Sequence, residues 1–452
     1  MKLSYRFFLA NILIGIVSGT ICVAFRYLIS FINSTRLNLF NRDNISDFKK
    51  ITDNGFYLED VLLLTLKYSL LFIFTVMILK TVNTMVQKFP TTSGSGLPQT
   101  KALLEKKMEY KSPLKNIFFK FCGGILSIAS GLSFGREGSS VQMGSLTGYI
   151  LGKTLKVENE NENYLIASGA GAGISAAFTA PLASSILILE SLRNNNTSEL
   201  KKLTISTLLS GLCAGLIAVL FFPNSIYSSI NITKPELNDF AMLLIFISMA
   251  LVFAIIGKLF SNMLIYIKVN YENFRIKHDR HYCLLALIIC MITFLHPSLV
   301  GGNQAFTIEI IHDDNFNIFN NIVIFSILAT ITIISNATGF PGGIFIPLLS
   351  MGGIIGKIFC IILAEFDIVT FSSSGYFILI GMSVFFISVV RTPLTGFILI
   401  TEITGNYDVM FPTLVVGILA YIFTELLKVK PLDDILYDIM MKKRFNIDSS
   451  YS

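Results

Sequence analysis

Three short glycine-rich segments hold the residues whose types and spacing point to chemistry: Gly94-Ser-Gly-Leu-Pro98, Gly135-Arg-Glu-Gly138 and Gly343-Ile-Phe-Ile-Pro347. Each reads as the start of a helix. Glycine leaves backbone N–H groups open to approach, and in the first and third segments a proline suits the first helical turn. A helix N-terminus gathers unsatisfied N–H donors and partial positive charge, so it binds an anion without a full cationic side chain. Several such ends meeting at one point would hold a small anion firmly enough to strip its water and loosely enough to let it go. Ser95 brings a hydroxyl donor that adds no trapping charge; the alternative is a serine that simply caps its helix. Glu137 brings a carboxylate that can take the anion's place and give it up when protonated; the alternative is an ion pair with Arg136.

The elements that must position these residues are membrane helices. The chain has 452 residues, 53% hydrophobic and 14% charged, where a soluble protein carries about a quarter charged. Apolar stretches recur at 7–32, 60–80, 204–222, 241–260, 282–296, 321–335, 352–364, 374–390 and 412–427, several of them near the roughly 20 residues that span a bilayer. Polar linkers are expected at 34–56, 155–163, 193–202, 224–238, 268–281 and 311–320. The first apolar run is too long for a signal peptide and reads as a retained helix. Continuous apolar runs disfavour a β-barrel. The net charge of +6 has no sustained basic stripe, which argues against nucleic acid. Six cysteines without a CxxC pair read as buried small hydrophobes, and four histidines without ligand spacing imply no metal. Lys442, Lys443 and Arg444 near the end favour a cytoplasmic C-terminus.

Glycines crowd 123–152 and 339–356, one cluster in each half. Small residues let membrane helices pack closely, but that does not explain glycines around Arg136-Glu137 or Pro347 within apolar sequence. Irregular backbone at membrane depth survives only where protein or a water-filled cavity covers it. Broken helices in corresponding positions of two halves are the mark of a transporter with inverted repeats and a midplane site. The expectation is an all-α polytopic protein forming a single domain over 1–452: a first half over about 1–235, an inverted second half over 236–440 and a short basic tail over 441–452. An acid inside such a structure is a functional candidate, and Glu137 is the foremost.

The three segments, with Val141-Gln-Met-Gly144 after the second, resemble the anion-pathway signatures of the CLC family of chloride channels and proton-coupled antiporters. Lys120-Phe-Cys-Gly-Gly124, Ala177-Phe-Thr-Ala-Pro-Leu-Ala183, Arg391-Thr-Pro-Leu-Thr-Gly396 and Lys430-Pro-Leu432 support the resemblance, which runs from about residue 10 to 440. It implies a homodimer in the lipid bilayer of the cell membrane, with one pore per subunit formed by many tilted, broken helices. It implies that Ser95 and the N–H groups of Ile344 and Phe345 hold the central anion. Gly135, Arg136 and Gly138, with the N–H of Glu137, line the outer site, and Glu137 gates the path and couples protons. Lys120 matches a family lysine that raises the potential along the path; snorkelling to an interface is the alternative. Chloride is then the bound substrate, protons the counter-ion, and no cofactor is implied.

Two departures qualify the resemblance. Where antiporters of the family carry a glutamate pair, this chain has Glu190-Ser191, so the usual proton-loading position is a serine. Where the family has an anion-contacting tyrosine after Lys-Pro-Leu, it has Asp433; Tyr437, one turn later on the same face, could substitute only if its helix shifts by about 6 Å. Gly138-Ser139-Ser140 is similar to the fluoride-exporting branch, but Ser95 and Gly343-Ile-Phe-Ile-Pro347 favour chloride. The expected function is chloride/proton exchange, with a passive proton-sensitive channel as the alternative and fluoride/proton exchange as the lesser one. Glu402 is expected to serve structure. An enzyme is disfavoured, because no nucleophile–base pair or metal cluster accompanies Glu137.

Overall fold

A computed structural model describes residues 5–40, 58–158, 161–191, 197–223, 232–277, 281–313 and 315–445. Among them are seventeen α-helices and no strand. The first eight are α1 (Tyr5–Leu39), α2 (Leu58–Lys88), α3 (Leu97–Leu104), α4 (Pro113–Ala129), α5 (Glu137–Thr154), α6 (Glu162–Phe178), α7 (Pro181–Ser191) and α8 (Thr197–Phe221). The next eight are α9 (Asp239–Lys277), α10 (His281–Leu295), α11 (Gln304–His312), α12 (Ile318–Ala337), α13 (Phe345–Glu365), α14 (Ser374–Val390), α15 (Pro393–Thr404) and α16 (Met410–Leu426); α17 (Leu432–Phe445) follows. Among the described residues, eight helices are long and apolar enough to cross a membrane. The apolar window of the span at 371–390 is 94% buried within the protein, against 11% for that of α2. One is therefore a core helix and the other a lipid-facing one, with Leu62, Leu66, Leu70, Phe74 and Met77 turned outward.

In both sets of eight the third and seventh helices are the shortest. The short α3 and α11 both start from a left-handed N-cap, Gly96 and Asn303. The packing repeats as well. A Cβ on Gly144 of α5 would strike the carbonyl of Gly169 on α6, and one on Gly148 that of Leu165. Gly352 and Gly356 of α13 stand in the same relation to Gly381 and Phe377 of α14. Much of the glycine clustering is thus explained by backbone-to-backbone contact, as small residues in membrane helices allow. Thr179 after α6 and Arg391 after α14 both take left-handed backbone, each two residues before the proline that opens the next short helix.

Several expected linkers are shorter than their polarity suggested. α9 continues through 268–277, α8 begins at Thr197 and α1 runs to Leu39. Once the apolar part of a helix is anchored, polar residues extend it at little cost. The stretch 41–57, most of the linker expected at 224–238 and the tail beyond Phe445 lie outside the described residues.

Candidate anion site at opposed helix N-termini

The three glycine-rich segments meet at the centre of the molecule. Gly135 and Gly343 exchange a pair of backbone hydrogen bonds, each 2.7 Å, which ties the start of α5 to the start of α13. The N–H of Gly94 donates to the carbonyl of Gly339 at 2.9 Å, and that of Gly342 to the carbonyl of Gly94 at 3.3 Å. Gly96, at φ +102°, turns the chain into α3 with its backbone against Gly138; a side chain at either position would overlap the other segment. Ser95, Gly135, Arg136, Glu137, Gly138, Ile344 and Phe345 therefore form one cluster. The first turns of α5 and α13 direct their N–H groups to it, since those groups have no partner within their own helix.

Glu137 is fully buried. A Cβ on Gly135 would run into its Oε2, and one on Gly343 would come within 3.1 Å of the same atom. The N–H groups of Glu137, Arg136 and Ile346 surround the carboxylate, yet neither oxygen closes a hydrogen bond of ordinary geometry. The side chain is thus folded back into the cradle of its own helix start, where an anion would be held. Ser95 is 7% exposed and its Oγ has no protein partner. It is a buried donor rather than the cap of α3, whose N-cap is Gly96.

The remaining polar side chains draw carbonyl oxygens away from this point. The buried Lys120 donates from Nζ to the carbonyls of Thr92 at 2.9 Å and Gly94 at 2.7 Å, so it does not snorkel. Gln142 Nε2 donates to the Thr91 carbonyl at 2.6 Å and Gln99 Nε2 to that of Ser93 at 2.5 Å. Four successive carbonyls before Ser95 are thereby occupied by donors, which leaves N–H and O–H groups as the polar lining. Gln99 was not among the candidates read from the sequence, and Gln142 appeared only within a motif; their partners could not be inferred from spacing alone. Arg136 donates from Nε to the carbonyl of Ala177 at 3.0 Å and from Nη1 to Oε1 of Gln304 at 2.8 Å. It joins α5 to α6 and α11, and beside it lies a cavity of about 220 Å³ lined by Arg26, Thr179, Phe222, Gln304 and Glu402 among others. Gln304 and Arg26 were missed as well.

The other candidates lie apart. Glu190 accepts from the N–H of Leu394 at 3.0 Å, the N–H of Thr395 at 2.9 Å and the Thr395 hydroxyl at 2.6 Å, so its carboxylate caps α15. Glu402 does the same for α7, accepting from Leu182 at 3.1 Å and Ala183 at 2.8 Å. Ser191 ends α7 with no titratable group. Tyr437 does not take over the place of the tyrosine replaced by Asp433: its hydroxyl donates to Glu105, Lys107 Nζ lies 3.3 Å from it, and Lys101 sits 5.1 Å above its ring. Salt-bridged neighbours on and after α3 hold it there. Asp433 is half-buried in the first turn of α17.

Comparison with known proteins places this geometry. The chain is 29% identical over 431 residues to the H(+)/Cl(-) exchange transporter ClcA of Yersinia pestis bv. Antiqua (strain Angola), covering 93% of this chain and 84% of that one. It is 27% identical over 425 residues to ClcA of Salmonella paratyphi A (strain ATCC 9150 / SARB42), with 93% and 85% covered. The crystal structure of a slow cyanobacterial Cl-/H+ antiporter superimposes with a TM-score of 0.85 at 26% identity, over 98% of this chain and 99% of that one. A CLC-type fluoride/proton antiporter shares the fold, with a TM-score of 0.75 at 19% identity over 94% and 97%. The family model described as voltage gated chloride channel matches residues 71–425, and the chain belongs to that family.

Proposed function

We propose that this protein exchanges chloride for protons across a membrane, with Glu137 as both gate and proton carrier. The observation that carries this reading is the buried Glu137 carboxylate lying against Gly135 and Gly343 among the N–H groups of two helix starts. An ionised carboxylate there stands in for the anion and closes the path. Protonation removes its charge, the side chain leaves, and chloride takes its place on Ser95 Oγ and the N–H groups of Ile344 and Phe345, with the N–H groups of Arg136, Glu137 and Gly138 farther along. Each exchange of carboxylate for chloride is then tied to one proton. Lys120 supports the anion by holding two carbonyls away from it. Ser95 and the intact Gly343–Pro347 segment favour chloride over fluoride.

The protein works as a homodimer in the cell membrane with its C-terminus in the cytoplasm. Leu182 of α7, Leu216 of α8, Leu394 of α15 and Ile422 of α16 are exposed apolar side chains on neighbouring helices that a second copy can cover. The competing reading, a passive channel with a proton-sensitive gate, draws on Ser191 and on the capping bonds that occupy Glu190. The reversal potential of purified protein in liposomes under opposed chloride and pH gradients separates the two. Exchange displaces it from the chloride Nernst potential; a value equal to that potential overturns exchange.

A further inference from the structure

Exchange requires a route by which protons from water on the face carrying α17 reach Glu137. Acids near that face are exposed, as Asp438 of α17 is, or already engaged. Glu190 has both oxygens on the first turn of α15. Glu105 pairs with Lys107 at 2.7 Å and accepts from Tyr437. Burial pushes the Glu105 carboxyl up, but Lys107 and the Tyr437 hydroxyl outweigh it and hold the group below its ordinary value. Asp434 pairs with Lys101 at 2.7 Å, and Glu425 with Arg391. Asp433 differs from all of these: no hydrogen bond or ion pair joins it to any described residue.

Its place follows from the register of two helices. Asp434 meets Lys101 of α3, and one turn later Tyr437 meets Glu105 and Lys107, so α17 and α3 run alongside each other in the same direction. Following both back toward their starts leads from Asp433 toward Leu97 and Ser95; Lys101 itself is roughly 9 Å along the axis from Ser95 at 1.5 Å per residue. Successive helical residues point about 100° apart, so with Asp434 turned to Lys101 the Asp433 side chain is turned off that pairing. At the end of this line the Ser95 hydroxyl is buried and without a protein partner, and its backbone packs on Gly138, next to Glu137.

The charged and titratable groups on the elements packed around Asp433 are few, and of them Lys101 and Asp434 act on it directly. α3 contributes Lys101 and Glu105, α17 itself Asp434 and Tyr437, and the loop before it the exposed Lys430. α14, which also packs on α17, carries no charged residue, and its one titratable side chain is Tyr376. Because Lys101 is already paired with Asp434, little compensates a second negative charge. Burial first, and then Asp434, raise the Asp433 carboxyl from 3.8 to about 7, against the pull of Lys101.

We propose that Asp433 is the proton acceptor at the α17 end of the anion path, taking a proton from water and passing it through hydrogen-bonded water beside Ser95 to Glu137. The inference rests on the exchange reading above. It gives the tyrosine-to-aspartate departure a use, since the chain lacks an acid at Ser191. Ionised, Asp433 repels an anion approaching Ser95; protonated, it does not. A fall in pH on that face through about 7 therefore speeds exchange.

The test is the number of protons moved uphill per chloride in liposomes driven by a chloride gradient, for wild type, Asp433→Asn and Asp433→Glu. The ratio does not depend on how much protein folds. It should fall at least ~10-fold in Asp433→Asn, return to within about three-fold in Asp433→Glu, and lose its pH dependence on the α17 face in the asparagine variant. A wild type that pumps protons and an Asp433→Asn variant with the same ratio would overturn the role of Asp433 and leave exchange standing. A wild type that passes chloride without moving protons overturns exchange, and this assignment with it.

Discussion

The two sets of helices repeat one backbone plan around the site and then differ in the residue that opens two corresponding helices. Gly135 precedes α5 as Gly343 precedes α13, the two glycines bond to each other, and each helix packs through paired glycines on the next. Yet the first residue of α5 is Glu137, whereas that of α13 is Phe345, packed edge-to-face on Phe386 at 5.0 Å. A second pair of acids behaves in the opposite way. Glu190 near the end of α7 caps α15, and Glu402 near the end of α15 caps α7. An acid present in both halves, bonded the same way in each, has its role accounted for by structure. An acid found in one half only, buried and without an ordinary hydrogen bond, is the one left for chemistry.

That contrast can be broken or sharpened by substitution. The largest effect is expected at the unrepeated acid: in Glu137→Gln, chloride flux persists or rises while its pH dependence disappears, as flux measured from pH 4 to 8 will show. Next is Lys120→Met, which frees the Thr92 and Gly94 carbonyls to face the anion. Losing two such bonds should weaken chloride binding about ten-fold, as measured by calorimetry on detergent-solubilised protein. Ser95→Ala removes one donor and should shift the chloride-to-nitrate flux ratio toward nitrate by about five-fold; an unchanged ratio would mean that backbone N–H groups alone set the preference. The smallest effects are expected at the repeated acids. Glu190→Gln and Glu402→Gln should each cost about 1 kcal/mol of stability, by similar amounts, and leave protons per chloride unchanged. A loss of proton coupling in Glu190→Gln alone would break the symmetry argument.

The helix starts were legible because glycine, proline and an isolated acid within apolar sequence have few physical explanations, and Gly94–Pro98, Gly135–Gly138 and Gly343–Pro347 supply all three signals. The long spans were legible from apolar length. What the chain did not disclose depends on contacts distant in sequence. Gln142 reaches back to Thr91, Arg136 reaches forward to Gln304, and Lys120 finds its two carbonyls on another element. A lysine in an apolar helix looks the same whether it snorkels or turns inward, because its stem suits either course. Tyr437 was likewise undecided until the Glu105 and Lys107 side chains were seen to hold it. Helix ends within polar linkers were missed for a simpler reason: exposed polar residues continue a helix as readily as they leave it.

The central claim is that Glu137 carries the proton exchanged for chloride. The most direct measurement is proton uptake by liposomes containing purified protein, at equal starting pH on both sides, with a chloride gradient as the sole driving force. Wild type should move protons against the gradient that develops, and Glu137→Gln should pass chloride with no uphill proton movement. Uphill uptake that survives in Glu137→Gln would contradict the account.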